Sequence, residues 1–185
     1  MARSEPGDEA LVRAVATGDA GALTRLYERH SEALFGYLYR LAGDRMTAEE
    51  ILQDTMLAVW RSAVAFEGRS KVTTWLFGVA RRQAHNRLRG RSGPQAIGVP
   101  LHDRPDQAAG PDELAIAAAG GTPVAAAIGR LPDHHRDVIA LVFVAGLPLA
   151  DVAEVLAIPV GTVKSRLHHA RAAVAAALTA QEVSE

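Results

Sequence analysis

The chain has 185 residues, 49% hydrophobic and 22% charged, with a formal net charge of -1 and no cysteine. That length suits one ordinary domain or two small ones, and the lack of cysteine excludes disulfides and thiolate metal sites. No apolar run approaches the roughly 20 residues of a membrane span, and the polar, mixed-charge start MARSEPGDEA does not have the form of a signal peptide, so a cytoplasmic address is expected by default.

From Asp8 to about Leu41 the apolar residues Leu23, Leu26, Tyr27, Leu34, Tyr37, Leu38 and Leu41 recur at three- and four-residue steps, which predicts helix, and Gly43 ends the pattern. Thr47 with Glu50 three residues later reads as a capping box, placing the next helix start at Thr47. Its inward side is expected to be Ile51, Leu52, Thr55, Met56, Val59 and Trp60. Glu49, Glu50, Gln53 and Asp54 fall on the opposite, exposed side. The turn-rich AFEGRSKVTT follows, and helical spacing resumes from Trp75 to Arg89 with Leu76, Val79, Ala80, Ala84 and Leu88 inward. Arg81, His85 and Arg89 share the outer face, with Arg82 beside them.

Residues 91 to about 122 are rich in Gly and Pro and read as a flexible linker that carries Asp103, Asp106, Asp112 and Glu113. Helical signals return over Val124 to Gly129, Pro132 to Val144, Pro148 to Leu156 and Pro159 to Ala177. No alternating strand pattern competes anywhere, so the expected fold class is all-α, with two small helical domains. The last two helices, separated by a very short turn at Ala157, form a candidate helix-turn-helix with Val152, Ala153, Leu156, Ile158, Val163 and Leu167 as its core. A left-handed backbone at that turn favours Gly, so Ala157 would cost about 1 kcal/mol there.

Charge is distributed unevenly. From Gly68 to Arg91 the chain carries Arg69, Lys71, Arg81, Arg82, Arg87, Arg89 and Arg91 without an acid, and from Val155 to Ala180 it carries Lys164, Arg166 and Arg171, again without an acid. Phe66, Trp75 and Phe77 surround the first basic island, and aromatic faces beside Arg suit capture of an unstacked base; a solvated surface and a core Trp75 are the plainer readings. The histidine pairs His134 with His135 and His168 with His169 supply one metal ligand each at best, because adjacent helical residues point about 100° apart. Glu50 and Asp54 lack a nucleophile, a Gly-rich phosphate loop or a His–carboxylate set, so no catalytic residue, metal or cofactor is expected.

The strings DRMTAEEILQDTMLAVWR, FEGRSKVTTWLFGVARRQAHNRLR and LPDHHRDVIALVFVAGLPLADVAEVLAIPVGTVKSRLHHAR together resemble a bacterial RNA polymerase sigma factor of the extracytoplasmic-function (ECF) group in the sigma-70 family. The resemblance assigns residues 9–90 to sigma region 2, 91–122 to a linker and 123–178 to sigma region 4. It implies that Glu50, Gln53 and Asp54 dock on the coiled coil of the β′ subunit of core polymerase, with the β subunit nearby. It implies that Phe66, Arg69, Ser70, Lys71, Arg81, Arg82, His85, Asn86 and Arg89 hold the melted −10 element. Thr162, Lys164, Ser165, Arg166, His169 and Arg171 would then meet the −35 element in the major groove, with Gly161 and Thr162 letting the helix start near a phosphate. An anti-sigma factor is a further implied partner. This sequence departs from the family pattern at Arg82 and Asn86, often Asn and Asp, at Lys71 and Val72, often Ser-Phe, and at Pro148, often a Ser cap. Leu178 to Glu185 is expected to add no sensing domain. The rival readings are a helix-turn-helix regulator with a sensory or dimerising N-terminal domain and, more distantly, a metal hydrolase.

Overall fold

A computed structural model describes residues 6–90 and 122–182. The expected linker residues Asp103, Asp106, Asp112 and Glu113 lie outside the described residues, as does Arg91. Helices α1 (Asp8–Ala16), α2 (Ala20–Ala42), α3 (Arg45–Ser62) and α4 (Val72–Gly90) make up the N-terminal half, with a 3-10 turn at Ala63–Ala65. The C-terminal half holds α5 (Pro123–Gly129), α6 (Asp133–Ile139), α7 (Leu149–Leu156) and α8 (Val160–Glu182), and α6 runs on into a π-helical turn at Ala140–Val144. No strand occurs among the described residues, in keeping with the all-α expectation.

Four boundaries differ from those read in the sequence, two of them for a visible local reason. The helical pattern from Asp8 to Leu41 is two helices, broken where Gly18 takes φ 91° and the Asp19 side chain accepts the Ala22 N–H at 3.0 Å to start α2. Helix α3 starts at Arg45, not Thr47, because Asp44 is its cap and accepts the Thr47 N–H at 2.8 Å. Thr47 is therefore the third residue of the helix, with its side chain buried, and not its cap. Helix α4 begins at Val72, three residues before Trp75, and α8 continues past the expected Ala177.

The helix faces follow the periodicity closely. Ile51, Leu52, Thr55, Met56 and Val59 are buried on α3, whereas Trp60, expected inside, is 37% exposed. Leu76, Val79, Ala80 and Ala84 are buried on α4, and Leu88 is half-buried. Phe77 is also core, 1% exposed and edge-on to Tyr37 at 5.5 Å, so it is not available for base capture. On α1, Asp8 ties the first two helices together by accepting from Arg29 at 2.9 Å and lying 2.7 Å from His30.

The two halves share one buried core. Tyr37 and Leu38 of α2 and Leu76 and Phe77 of α4 belong to the same apolar cluster as Val138, Leu141, Val152, Leu156 and Val163 of the C-terminal half. Helix α4 packs on α7, and α2 packs on the π-helical turn. A Cβ built on Gly36 of α2 would stand 3.0 Å from Cγ1 of Val144, so the missing side chain is what lets those two elements approach. A second, smaller cluster of Leu131, Ile139 and Ala170 holds α6 against α8.

Candidate nucleic-acid and polymerase interface

The helix-turn-helix is formed by α7 and α8. Ala157 adopts φ 54° and ψ 44°, the left-handed conformation anticipated from the short turn. Among the described residues no other non-glycine has positive φ. Ala157 N–H donates to Glu154 O at 3.2 Å and Ile158 N–H to Ala153 O at 3.0 Å, the paired bonds that close a helix through a left-handed residue. Pro148 sits one position earlier than expected, as the cap of α7, where its carbonyl accepts the Val152 N–H at 3.0 Å. Val152, Ala153, Leu156 and Val163 are buried between the two helices, with Ile158 and Leu167 half-buried.

On the outward side of α8, Lys164, Ser165, His169 and Arg171 are exposed, and Thr162 and Arg166 are half-buried. This face carries cations and hydroxyl or amide donors with no acid between them, which suits phosphate and base-edge contact. The histidine pairs meet across α6 and α8, with His135 and His169 ring centroids 6.3 Å apart. No group of three metal-ligating side chains forms among the described residues.

In the N-terminal half, Phe66 stacks obliquely on Trp75 with centroids 5.0 Å apart, and both are half-buried. They form an aromatic step where the loop enters α4. Gly68 takes φ 69° at the loop tip, where Arg69 is exposed and ion-pairs with Glu67. Ser70 is half-buried, and Arg82, Asn86 and Arg89 are exposed along α4.

Arg81, His85 and Lys71 are placed differently from a plain outer face. Arg81 donates from Nε to Asp137 Oδ2 at 2.9 Å and His85 Nε2 lies 3.2 Å from the same oxygen. Tyr37 donates its hydroxyl to Asp137 Oδ1 at 3.2 Å. Lys71 Nζ donates to both oxygens of Asp151, at 2.9 and 3.2 Å. Asp137 and Asp151 come from α6 and α7, so two carboxylates of one half engage cations of the other. Burial raises the Asp137 carboxyl, but the hydrogen bonds and charges of His85 and Arg81 outweigh it and hold the group below its ordinary range. The Tyr37 hydroxyl is pushed well above its ordinary value, by burial first and by the Asp137 charge second.

On α3, Glu50 and Gln53 are exposed and Asp54 is half-buried. Arg87 of α4 bridges the two carboxylates, bonding Glu50 and donating to Asp54 at 2.8 Å. Leu57 of α3, 54% exposed, and Val64 of the 3-10 turn, 78% exposed, add apolar surface. The sequence patterns do not point to Arg87 as a bridge, or to Tyr37 and Asp137 as site residues. Nothing local in the sequence pairs Arg87 with acids 33 and 37 positions earlier, and only complementary charge on two helices hinted at it.

Comparison with known proteins gives two family matches, Sigma-70 region 2 over residues 26–93 and Sigma-70, region 4 over residues 122–174. The chain is 33% identical over 175 residues to the ECF RNA polymerase sigma factor SigL of Mycobacterium tuberculosis, covering 94% of this chain and 97% of that one. It is 26% identical over 173 residues to the ECF RNA polymerase sigma factor SigW of Bacillus subtilis, covering 88% and 92%. Among solved structures, CnrH in complex with the cytosolic domain of CnrY is similar with a TM-score of 0.71 and 25% identity, over 94% of this chain and 97% of that one. The sigma factor RpoE of Bartonella quintana shares the fold, with a TM-score of 0.62 and 23% identity over 84% and 96%.

Proposed function

The chain belongs to the ECF group of the sigma-70 family of RNA polymerase factors, and from that membership we propose that it binds core RNA polymerase, directs it to specific promoters and promotes DNA melting. It acts as a transcription initiation factor and catalyses no reaction itself. The carrying observation is that one chain joins an aromatic step beside a basic helix, Phe66 on Trp75 ahead of α4, to a helix-turn-helix with an acid-free outward face on α8. A helix-turn-helix regulator needs only the second of these.

Residues 9–90 carry the polymerase-binding and −10 functions, 123–178 the −35 function, and 91–122 connect them. Glu50, Gln53 and Asp54 form the docking face for the β′ coiled coil, with the β subunit close by. Phe66, Arg69, Ser70, Lys71, Arg81, Arg82, His85, Asn86 and Arg89 hold the opened −10 strand. There the aromatic step stacks a base and the cations neutralise phosphate. Thr162, Lys164, Ser165, Arg166, His169 and Arg171 contact the −35 duplex. A factor that acts with core RNA polymerase would do so in the cytoplasm. Likeness to CnrH, solved with the cytosolic domain of a partner protein, supports a partner of the anti-sigma kind.

The division of labour is tested on a normal and a pre-melted promoter. Arg166→Ala is expected to weaken duplex anchoring by roughly 1–3 kcal/mol if it reads a base edge, and to do so on both templates. Arg82→Ala with Arg89→Ala is expected to slow opening, with a defect that shrinks on the pre-melted template. Defects that respond alike to pre-melting contradict the assignment.

A further inference from the structure

Asp137 is a buried carboxylate of one half held by side chains of the other. Its carboxylate side chain is 2% exposed and meets three donors of the other half: Arg81 Nε at 2.9 Å, His85 Nε2 at 3.2 Å and Tyr37 OH at 3.2 Å. The donors come from two helices, with Tyr37 fixed edge-on against Phe77 and Arg81 and His85 one turn apart on α4. We propose that Tyr37, Arg81 and His85 form one built anion site, filled by the Asp137 carboxylate when the two halves are packed together and by a backbone phosphate of the promoter strand when they separate. Asp151 on Lys71 repeats the arrangement at the rim, at 2.9 Å.

Several observations make this an exchange rather than a static strut. Arg81, His85 and Lys71 lie in the stretch assigned above to the −10 strand, and the inference rests on that reading. Asp137 and a strand phosphate cannot occupy the same donors together. Leaving these buried donors without an anion would be costly, so a second anion that takes the place of Asp137 as the halves part offsets that cost. Tyr37 adds a donor that strand binding alone does not explain, since its hydroxyl reaches the anion only beside Arg81 and His85.

A reversible lock tests the exchange. The chain has no cysteine, and a sulfur placed where Cγ1 of Val144 lies would stand 3.0 Å from a Cβ built at position 36, the span from one Cβ to the far sulfur of a disulfide, so the bridge itself fills the gap that Gly36 leaves. Neither Gly36 nor Val144 belongs to the assigned DNA or polymerase contacts. In the full-length Gly36→Cys/Val144→Cys double variant, binding of a labelled single-stranded promoter −10 oligonucleotide is measured oxidised and reduced, together with run-off transcription by core polymerase. The account expects the oxidised form to bind the strand at least roughly tenfold more weakly than the reduced form. It also expects Asp137→Asn in the unlocked chain to bind several-fold more tightly than wild type. Adding Tyr37→Phe to Asp137→Asn is expected to reverse part of that gain. Equal strand affinity in the oxidised and reduced forms overturns the exchange, as does an Asp137→Asn variant no tighter than wild type. Run-off from the reduced form separates the two claims. Its absence counts against the sigma function itself, whereas its presence with equal strand affinity in both redox forms counts only against the shared anion site.

Discussion

At the scale of single residues, the junction around Asp137 turns on charge state. Tyr37 ordinarily titrates near 10.0, and burial followed by the Asp137 charge raises it well above that in the folded chain. The groups facing it are Asp137 of α6 and Arg81 of α4, with His85 on the far side of the carboxylate. A folded value above the unfolded one contributes stability that is fully present below about pH 10 and is lost as pH rises through the folded value. Asp137 has the opposite sign. Its folded value lies below the ordinary 3.8, so its contribution is present above that value and lost as pH falls through the folded one. We therefore expect contact between the halves to hold across neutral pH and to fail at both extremes. In an alkaline titration, tyrosinate absorbance should show a late step from Tyr37, accompanied by loss of near-ultraviolet dichroism. Absence of any late step, or its survival in Tyr37→Phe, would show that Tyr37 is not held there. None of this was legible beforehand, because Tyr37 and Asp137 are 100 positions apart and each reads locally as an ordinary helix residue.

Elements were more legible than their ends. Apolar steps of three and four located the long helices and most of their buried faces, because burial imposes that period whatever the neighbouring helix is. Ends depend on single side chains, and Asp44 took the cap that Thr47 and Glu50 seemed to offer. The break at Gly18 was hidden because the apolar rhythm continues across it. Phe77 misled for a related reason: an aromatic near basic residues fits base capture or core equally well, and only the position of Tyr37 decides between them. Ala157 was the opposite case, since the shortness of the turn required the left-handed backbone observed there. Ala157→Gly should remove that strain and stabilise the chain by about 0.5–1 kcal/mol, part of the relief being offset by the greater freedom of Gly when unfolded. Denaturant midpoints check this, and a destabilised variant would mean that the alanine methyl packs usefully in the turn.

For the whole molecule, the surfaces proposed for polymerase and DNA were readable as residue types and unreadable as an arrangement. The acid-free outward face of α8, the aromatic step at α4 and the acidic face of α3 were all visible as patterns. The shared core between the halves was not, because it depends on Gly36 admitting Val144 and on Asp137 and Asp151 reaching α4 and its preceding loop. If Arg81 and His85 meet the −10 strand as proposed, the contacts that bury them keep them from DNA until the halves part. The central claim remains that the chain makes core polymerase promoter-specific. Its most direct test is run-off transcription from genomic promoter fragments by core polymerase, with and without the purified chain. The account predicts discrete transcripts from a subset of fragments only when core and chain are both present. Sequence-specific DNA binding by the chain alone, with no change in the transcripts made by core polymerase, would contradict it.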